Sequence, residues 1–316
     1  MTFLKLPFFD AIADAETVLL AGAGGGFDIF SGLPLYFGLR SLGKTVHLAN
    51  LSFSRLYASD GRRLGTGLVE VTAHTQGPER YFPELHLARW LAAQGEPDTI
   101  YGIDREGVRP VTAAYHTLNE RLKPDAIILV DGGTDSLMRG DEAGLGTPQE
   151  DIASIAAVHA LDVPIKLLVC LGFGVDTFHG VCHAQFLEAV ADLSRQGAFL
   201  GMWSLTRDMP EVRRYVEAVE HVNGIMSDRP SIASSSIVSA VEGEFGNHHR
   251  NPRTEGSRLF INALMTLYWC FRLDAVARRN LYLAQVRDTE TFQDLTVAIG
   301  HWRATHESKG WVDLPM

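Results

Sequence analysis

The sequence predicts an α/β fold: a doubly wound, mostly parallel, Rossmann-like sheet with helices on both faces and a C-terminal helical extension. Three observations predict it. Short apolar runs recur along the chain, amphipathic stretches separate them, and glycine-rich or acidic loops follow three of the runs. The runs are TVLLAG (17–22), TVHLANL (45–51), TIYGI (99–103), AIILVD (126–131), IKLLVCLG (165–172) and AFLGMWSL (198–205). They are nearly continuous in Val, Ile and Leu, the pattern of strands covered on both faces rather than one.

The intervening stretches repeat apolar residues at helical spacing. They are PELHLARWLAAQG, VTAAYHTLNERLK, QEDIASIAAVHAL, HAQFLEAVADLSRQG and MPEVRRYVEAVEHV. Strand and helix in alternation predict a parallel sheet. After about residue 228 the pattern changes. SIASSSIVSAVEGEF is small and polar, GNHHRNPRTEG is loop-like, and SRLFINALMTLYWCFRLDAVARR and ETFQDLTVAIGHWRATHE predict two helices. The chain therefore reads as a single α/β domain over 1–316, with a core at 1–228 and an extension at 229–316 packed on it.

Composition narrows the function classes. The chain has 316 residues, is 46% hydrophobic and 21% charged, and carries a formal charge of −10. It can bury a sizeable core, and the acidic balance argues against a dedicated nucleic-acid binder. Cys170, Cys182 and Cys270 are odd in number and lie in apolar surroundings, which predicts core thiols of a reducing compartment. No stretch has the length and apolarity of a membrane span, and the N-terminus lacks the pattern of a signal peptide. The expectation is a cytoplasmic protein with a small anionic ligand, no nucleic-acid or membrane partner, and a homo-oligomeric state.

Four loops carry candidate chemistry. In AGAGGGFDIFSGLP (21–34), Gly22, Gly24, Gly25 and Gly26 end the first strand and a helix is expected from Phe27 or Asp28. Glycines let backbone amides approach an anion, and a helix N-terminus favours negative charge. The dinucleotide fingerprint fails at Phe27, the P-loop lysine is missing, and the second strand ends in Asn50 rather than an acid. Asp28 is expected to cap the helix, accept a ligand hydroxyl or bind a metal.

In VDGGTDSLMRGDEAGLGTPQED (130–151), Asp131 ends a strand, where open α/β sheets place ligands. Gly132 and Gly133 follow, then Asp135, Asp141 and Glu142. Four carboxylates on one loop call for solvent, protons or a hard cation such as Mg²⁺, or leave one of them as a general acid or base. In LGFGVDTFHGVCHAQF (171–186), Gly174, Asp176, His179 and His183 follow another strand. A helix beginning near Thr177 would put the two histidines on one face. In EGEFGNHHRNPRTEGS (242–257), His248, His249, Arg250 and Arg253 form a polar loop able to close over an anion. A serine-hydrolase elbow is missing from the sequence.

Together these segments resemble the DUF1152 proteins of archaea and bacteria. The residues that carry the resemblance are Gly24–Gly26 with Asp28, Asp131-Gly132-Gly133 with Asp135, Gly140-Asp141-Glu142 with Pro148, and Gly172, Gly174 and Asp176. It covers roughly residues 15–250 and implies no particular reaction. The third loop departs from the family pattern, an acidic Asp-Gly-Glu, by reading Asp176-Thr177-Phe178. Gly22-Ala23-Gly24 and Ser31-Gly32-Leu33-Pro34 are also similar to elements of sirtuin-like NAD-binding domains, which would imply NAD or another nucleotide.

The expected function is a hydrolase or group transferase acting on a nucleotide-like or phosphorylated small molecule. Gly24–Gly26 would hold its anion, with Gly22, Gly132, Gly133, Gly174, Asp28 and Asp176 completing the ligand site. Asp131 and Asp135 would act as acid and base or, with Asp141 and Glu142, as metal ligands. His179 or His248 would assist proton transfer. The alternatives are a redox enzyme using a nicotinamide or flavin, and a non-catalytic ligand sensor.

Overall fold

The computed structural model describes residues 6–314. Its centre is a mixed α/β arrangement around a nine-stranded, mostly parallel sheet. The strands are β1 (Thr17–Gly22), β2 (Thr45–Ser52), β3 (Arg62–Gly65), β4 (Leu68–Val71), β5 (Ile100–Asp104), β6 (Ala126–Asp131), β7 (Ile165–Cys170), β8 (Phe199–Ser204) and β9 (Leu267–Arg272). Their order is β3-β4-β5-β2-β1-β6-β7-β9-β8. The five strands from β5 to β7 run parallel, with Gly22 of β1 level with Asn50 of β2 and Val130 of β6, and Asp131 level with Cys170 of β7. All six predicted strands form, within a residue or two of the apolar runs.

Continuous apolar runs are required because both residue sets of each strand are buried. Leu19, Ala21, Ile127, Leu129 and Leu168 join one apolar cluster with Val111, Tyr115, Ile155 and Phe186. The alternate residues Val18, Leu20, Ile128, Val130 and Val169 join a second with Leu33, Tyr36, Leu91 and Val219. A side chain of this kind contributes about 1.5–3 kcal/mol when fully removed from water, so a polar residue in these runs must have a specific partner.

The extension corrects the sequence reading. Residues 267–272 were expected within a helix, but Leu267–Arg272 is β9, antiparallel to both β7 and β8. Tyr268, Trp269 and Phe271 are large aromatics suited to a pleated, buried surface, and pairing on two edges overrides local helical periodicity. Of that stretch only Leu273–Arg279 is α-helical, with a short 3-10 turn at Ala263–Thr266. The expected last helix forms at Phe292–Thr305 with a capping box from Thr291 and Asp294. The polar-looking serine segment is the helix Ile232–Val241, whose N-cap Ser231 accepts from the Ser234 amide. The serines are tolerated because they bond along the helix, Ser235 to Ser231 and Ser239 to Ser235. No helix of the described residues is long and apolar enough to cross a membrane.

Candidate functional site

Strand order reverses between β1 and β6, and the loops leaving the carboxyl ends of β1, β6 and β7 meet there. Three amides of the first loop are engaged within the chain. Ala23 N donates to Val130 O at 2.8 Å, Gly24 N to the Asp28 carboxylate at 2.6 Å, and Gly26 N to Leu51 O at 3.2 Å. The following helix, Asp28–Ser31, is a single turn. Gly25 and Gly26 supply the positive φ that the turn needs, +90° and +61°.

Gly24 is a matter of space. A Cβ there would stand 2.8 Å from both Asp28 Oδ2 and Asp151 Oδ1. Gly132 stands in the same relation to Asp28 Oδ1, at 2.9 Å. The glycines therefore let carboxylates approach the backbone. Asn50, near the end of β2, buttresses the loop by donating to Gly26 O at 2.9 Å and to the fully buried Glu84 at 2.8 Å. Gly24→Ala is expected to push the two aspartates apart. It should cost roughly 1–3 kcal/mol of stability, read by chemical denaturation.

Five aspartates gather behind these loops. Asp131 ends β6, is 3% exposed, and accepts from Ser136 through its hydroxyl at 2.5 Å and its amide at 3.2 Å. Asp135 accepts from the Thr147 amide at 2.8 Å and hydroxyl at 3.0 Å. Asp176 accepts from the Thr134 amide at 2.5 Å. Asp28 is half-buried. Asp151, in the first turn of the helix Pro148–His159, is 2% exposed, and neither of its oxygens has a hydrogen-bond partner. One oxygen each of Asp28, Asp131 and Asp151 lies within 4.8 Å of the other two.

Burial pushes all five carboxyls above the ordinary range. Their mutual repulsion adds to it, with the Asp135 charge raising Asp28, Asp131, Asp151 and Asp176. A buried carboxylate with no donor is costly unless it is protonated or bound to a cation. Asp151 is such a group, and with one oxygen each from Asp28 and Asp131 at this spacing it forms a set from three chain segments that suits a hard divalent cation.

Other candidates are placed differently. His179 ends the exposed turn Val175–His179, where its charge lowers Asp135. His179 and His183 do not share a helix, because Gly180, at φ +83°, breaks the chain between that turn and the helix His183–Arg195. Asp141 is clamped by the Arg139 guanidinium at 2.8 and 2.6 Å, and Glu142 accepts from the amides of Arg139 and Gly140. Both are held by their own loop rather than turned to the three-carboxylate group. His248 takes Glu244 as its partner at 3.3 Å and lines a crevice with Ser235 and Ser239. Gly133 abuts the Asp176 carboxylate, and Gly174 takes φ +92° beside His183.

Asp151 is the residue that the sequence reading passed over. An acid in the first turn of a helix ordinarily reads as a dipole partner. The available signal was its place on the stripe Asp151, Ile155, Val158, where an acid stands in line with core residues.

Fold and site together define an α/β protein with a buried carboxylate centre at the carboxyl edge of its sheet. The chain belongs to the DUF1152 family, described as proteins of unknown function, whose sequence model matches residues 19–307. The match continues past residue 250, through β9 and the helix Phe292–Thr305. No curated protein and no solved structure matches the chain. Nothing in these comparisons supports the sirtuin-like resemblance.

Proposed function

We propose that the chain is a divalent-cation-dependent hydrolase or group transferase acting on a phosphorylated small molecule. The observation that carries this reading is the convergence of Asp28, Asp131 and Asp151, with both Asp151 oxygens buried and unbonded. The order β5-β2-β1-β6-β7 supports reading the sheet as doubly wound and Rossmann-like, with helices on both faces and its ligand crevice at the β1/β6 reversal.

Held by these three aspartates, a cation such as Mg²⁺ or Mn²⁺ would supply charge neutralisation for a phosphoryl oxygen and activation of water. The Gly22–Gly26 loop then acts by holding Asp28 in place, since the amides of Ala23, Gly24 and Gly26 are already engaged. Asp135, fixed by Thr147, and the exposed His179 beside it are the groups assigned to proton transfer. Asp176 fixes the loop after β6 through the Thr134 amide. Arg105, its guanidinium 4.9 and 4.4 Å from the Phe53 and Phe292 rings and 3.3 Å from Glu150, offers positive charge beside the centre. His248, Asp141 and Glu142 have no part in this reading. The partner it implies is a small anionic ligand.

The test is Mn²⁺ binding by electron paramagnetic resonance, coupled to phosphate release from a panel of phosphorylated compounds. One tight site is expected, with affinity falling at least about a hundredfold in Asp131→Asn, the loss that follows when a direct ligand is removed. Unchanged Mn²⁺ affinity in that variant would falsify the assignment.

A further inference from the structure

The turn Val175–His179 has two sides. Asp176 reaches back to the Thr134 amide, and the charge of His179 acts on Asp135. Val175, Thr177 and Phe178, the residues between and beside them, line a separate cavity of about 520 Å³. One short turn thus walls both the carboxylate centre and an open pocket. It is pinned by the pair Thr177 Oγ1 and His183 Nε2 at 2.8 Å.

The far wall comes from the helix Ile232–Val241, through Ser236, and from the segment that holds Arg258 and Phe260. Phe178 and Phe260 are each 59% exposed, unusual for rings that face a concavity. Arg258 makes no ion pair with any described residue, and the Asp313 side chain also lines the space. Phenyl faces, a donor-only guanidinium, an acceptor-only carboxylate and a serine hydroxyl within a volume of this size suit a planar heteroaromatic ring with donors and acceptors on its edge.

We infer that this cavity receives the base of a nucleoside phosphate whose phosphate reaches the cation held by Asp28, Asp131 and Asp151. The inference rests on the proposed cation-dependent reading and gives it a substrate class. The base stacks on the exposed phenyl rings, and the turn 175–179, which lines the cavity through Val175, Thr177 and Phe178 and reaches the Thr134 amide through Asp176, lies between base and phosphate. Aliphatic phosphates of equal charge lack the part that fills the pocket.

The test is saturation-transfer NMR and calorimetric titration with unphosphorylated nucleosides and their monophosphates, first in chelator and then with Mn²⁺. The wild-type protein should bind at least one nucleoside in chelator, and its monophosphate should bind more tightly once Mn²⁺ is added. Phe178→Ala and Phe260→Ala, both at exposed positions, should each weaken nucleoside binding roughly tenfold or more, the worth of a base stacked on an aromatic ring. Their circular dichroism and Mn²⁺ affinity should match the parent. Nucleoside binding that is absent, or equal in the phenylalanine variants, overturns the pocket assignment. Mn²⁺ binding, measured alone, stands or falls separately and reports on the cation reading.

Discussion

Asp151→Asn is expected to make the cation-free protein more stable while removing its response to cations. In chelator near neutral pH, the parent buries an acid that has no donor and faces other carboxyls. Exchanging it for a neutral isostere relieves repulsion and desolvation. A relief of about 1 kcal/mol in a chain of this size is a gain of roughly 2–4 °C in Tm. Adding Mn²⁺ should then raise the Tm of the parent strongly and that of the variant little, since a ligand stabilises only the state that binds it. Differential scanning calorimetry in chelator and in Mn²⁺ measures both effects. A variant less stable than the parent in chelator would show that the Asp151 carboxylate has a stabilising partner, and the cation reading would lose its main support.

The second large effect is on pH dependence. Asp28, Asp131, Asp135, Asp151 and Asp176 all have their folded-state carboxyls raised by burial. For a raised acid, the folded state holds its proton more tightly than the unfolded chain does. The stability this gives is complete below the ordinary value of 3.8, and it is lost as pH rises through the raised folded values. Cation binding works against the same protons, so it strengthens over that range. The gap in Tm between Mn²⁺-loaded and chelated protein should therefore widen as pH rises above 3.8. Exposed carboxylates lowered by local donors, such as Asp125 and Asp294, shift both curves alike and cancel in the gap. Asp151→Asn should flatten it. A gap that does not change with pH in the parent would mean that these carboxyls are not what the cation displaces.

The parallel strands were legible because burial on two faces writes itself as unbroken apolar runs, and TVLLAG and AIILVD need no further context. Leu267–Arg272 was not legible. Its apolar residues fit either element, and only the presence of β7 and β8 on its two edges decides the matter. β3 and β4 are four residues each, and β3 is largely polar, too short for periodicity to speak. At the site, Asp28, Asp131, Asp135 and Asp176 were readable as acids on loops after strands. Which acids meet depends on distances that no spacing encodes. Asp141 and Glu142 have the same sequence look as Asp135, yet Arg139 and nearby amides engage them. Asp151 needed the opposite inference, from a routine helix start to a buried orphan. The glycines were read as places for an anion to approach the backbone; at Gly24 and Gly132 the groups that stand there are the chain's own carboxylates.

The place of β9 has a consequence for how the protein is made. β8 is joined to the sheet only through β9, which lies more than sixty residues later in the chain. A ribosome delivers the chain from its N-terminus, so the outer edge of β7 waits bare, and β8 has nowhere to dock, until Leu267–Arg272 has emerged. During that interval the nascent chain carries an open strand edge of the kind that recruits other chains. A truncation that stops before residue 267 makes the interval permanent, and such a fragment belongs to the aggregation-prone species that chaperones hold rather than to the folded protein.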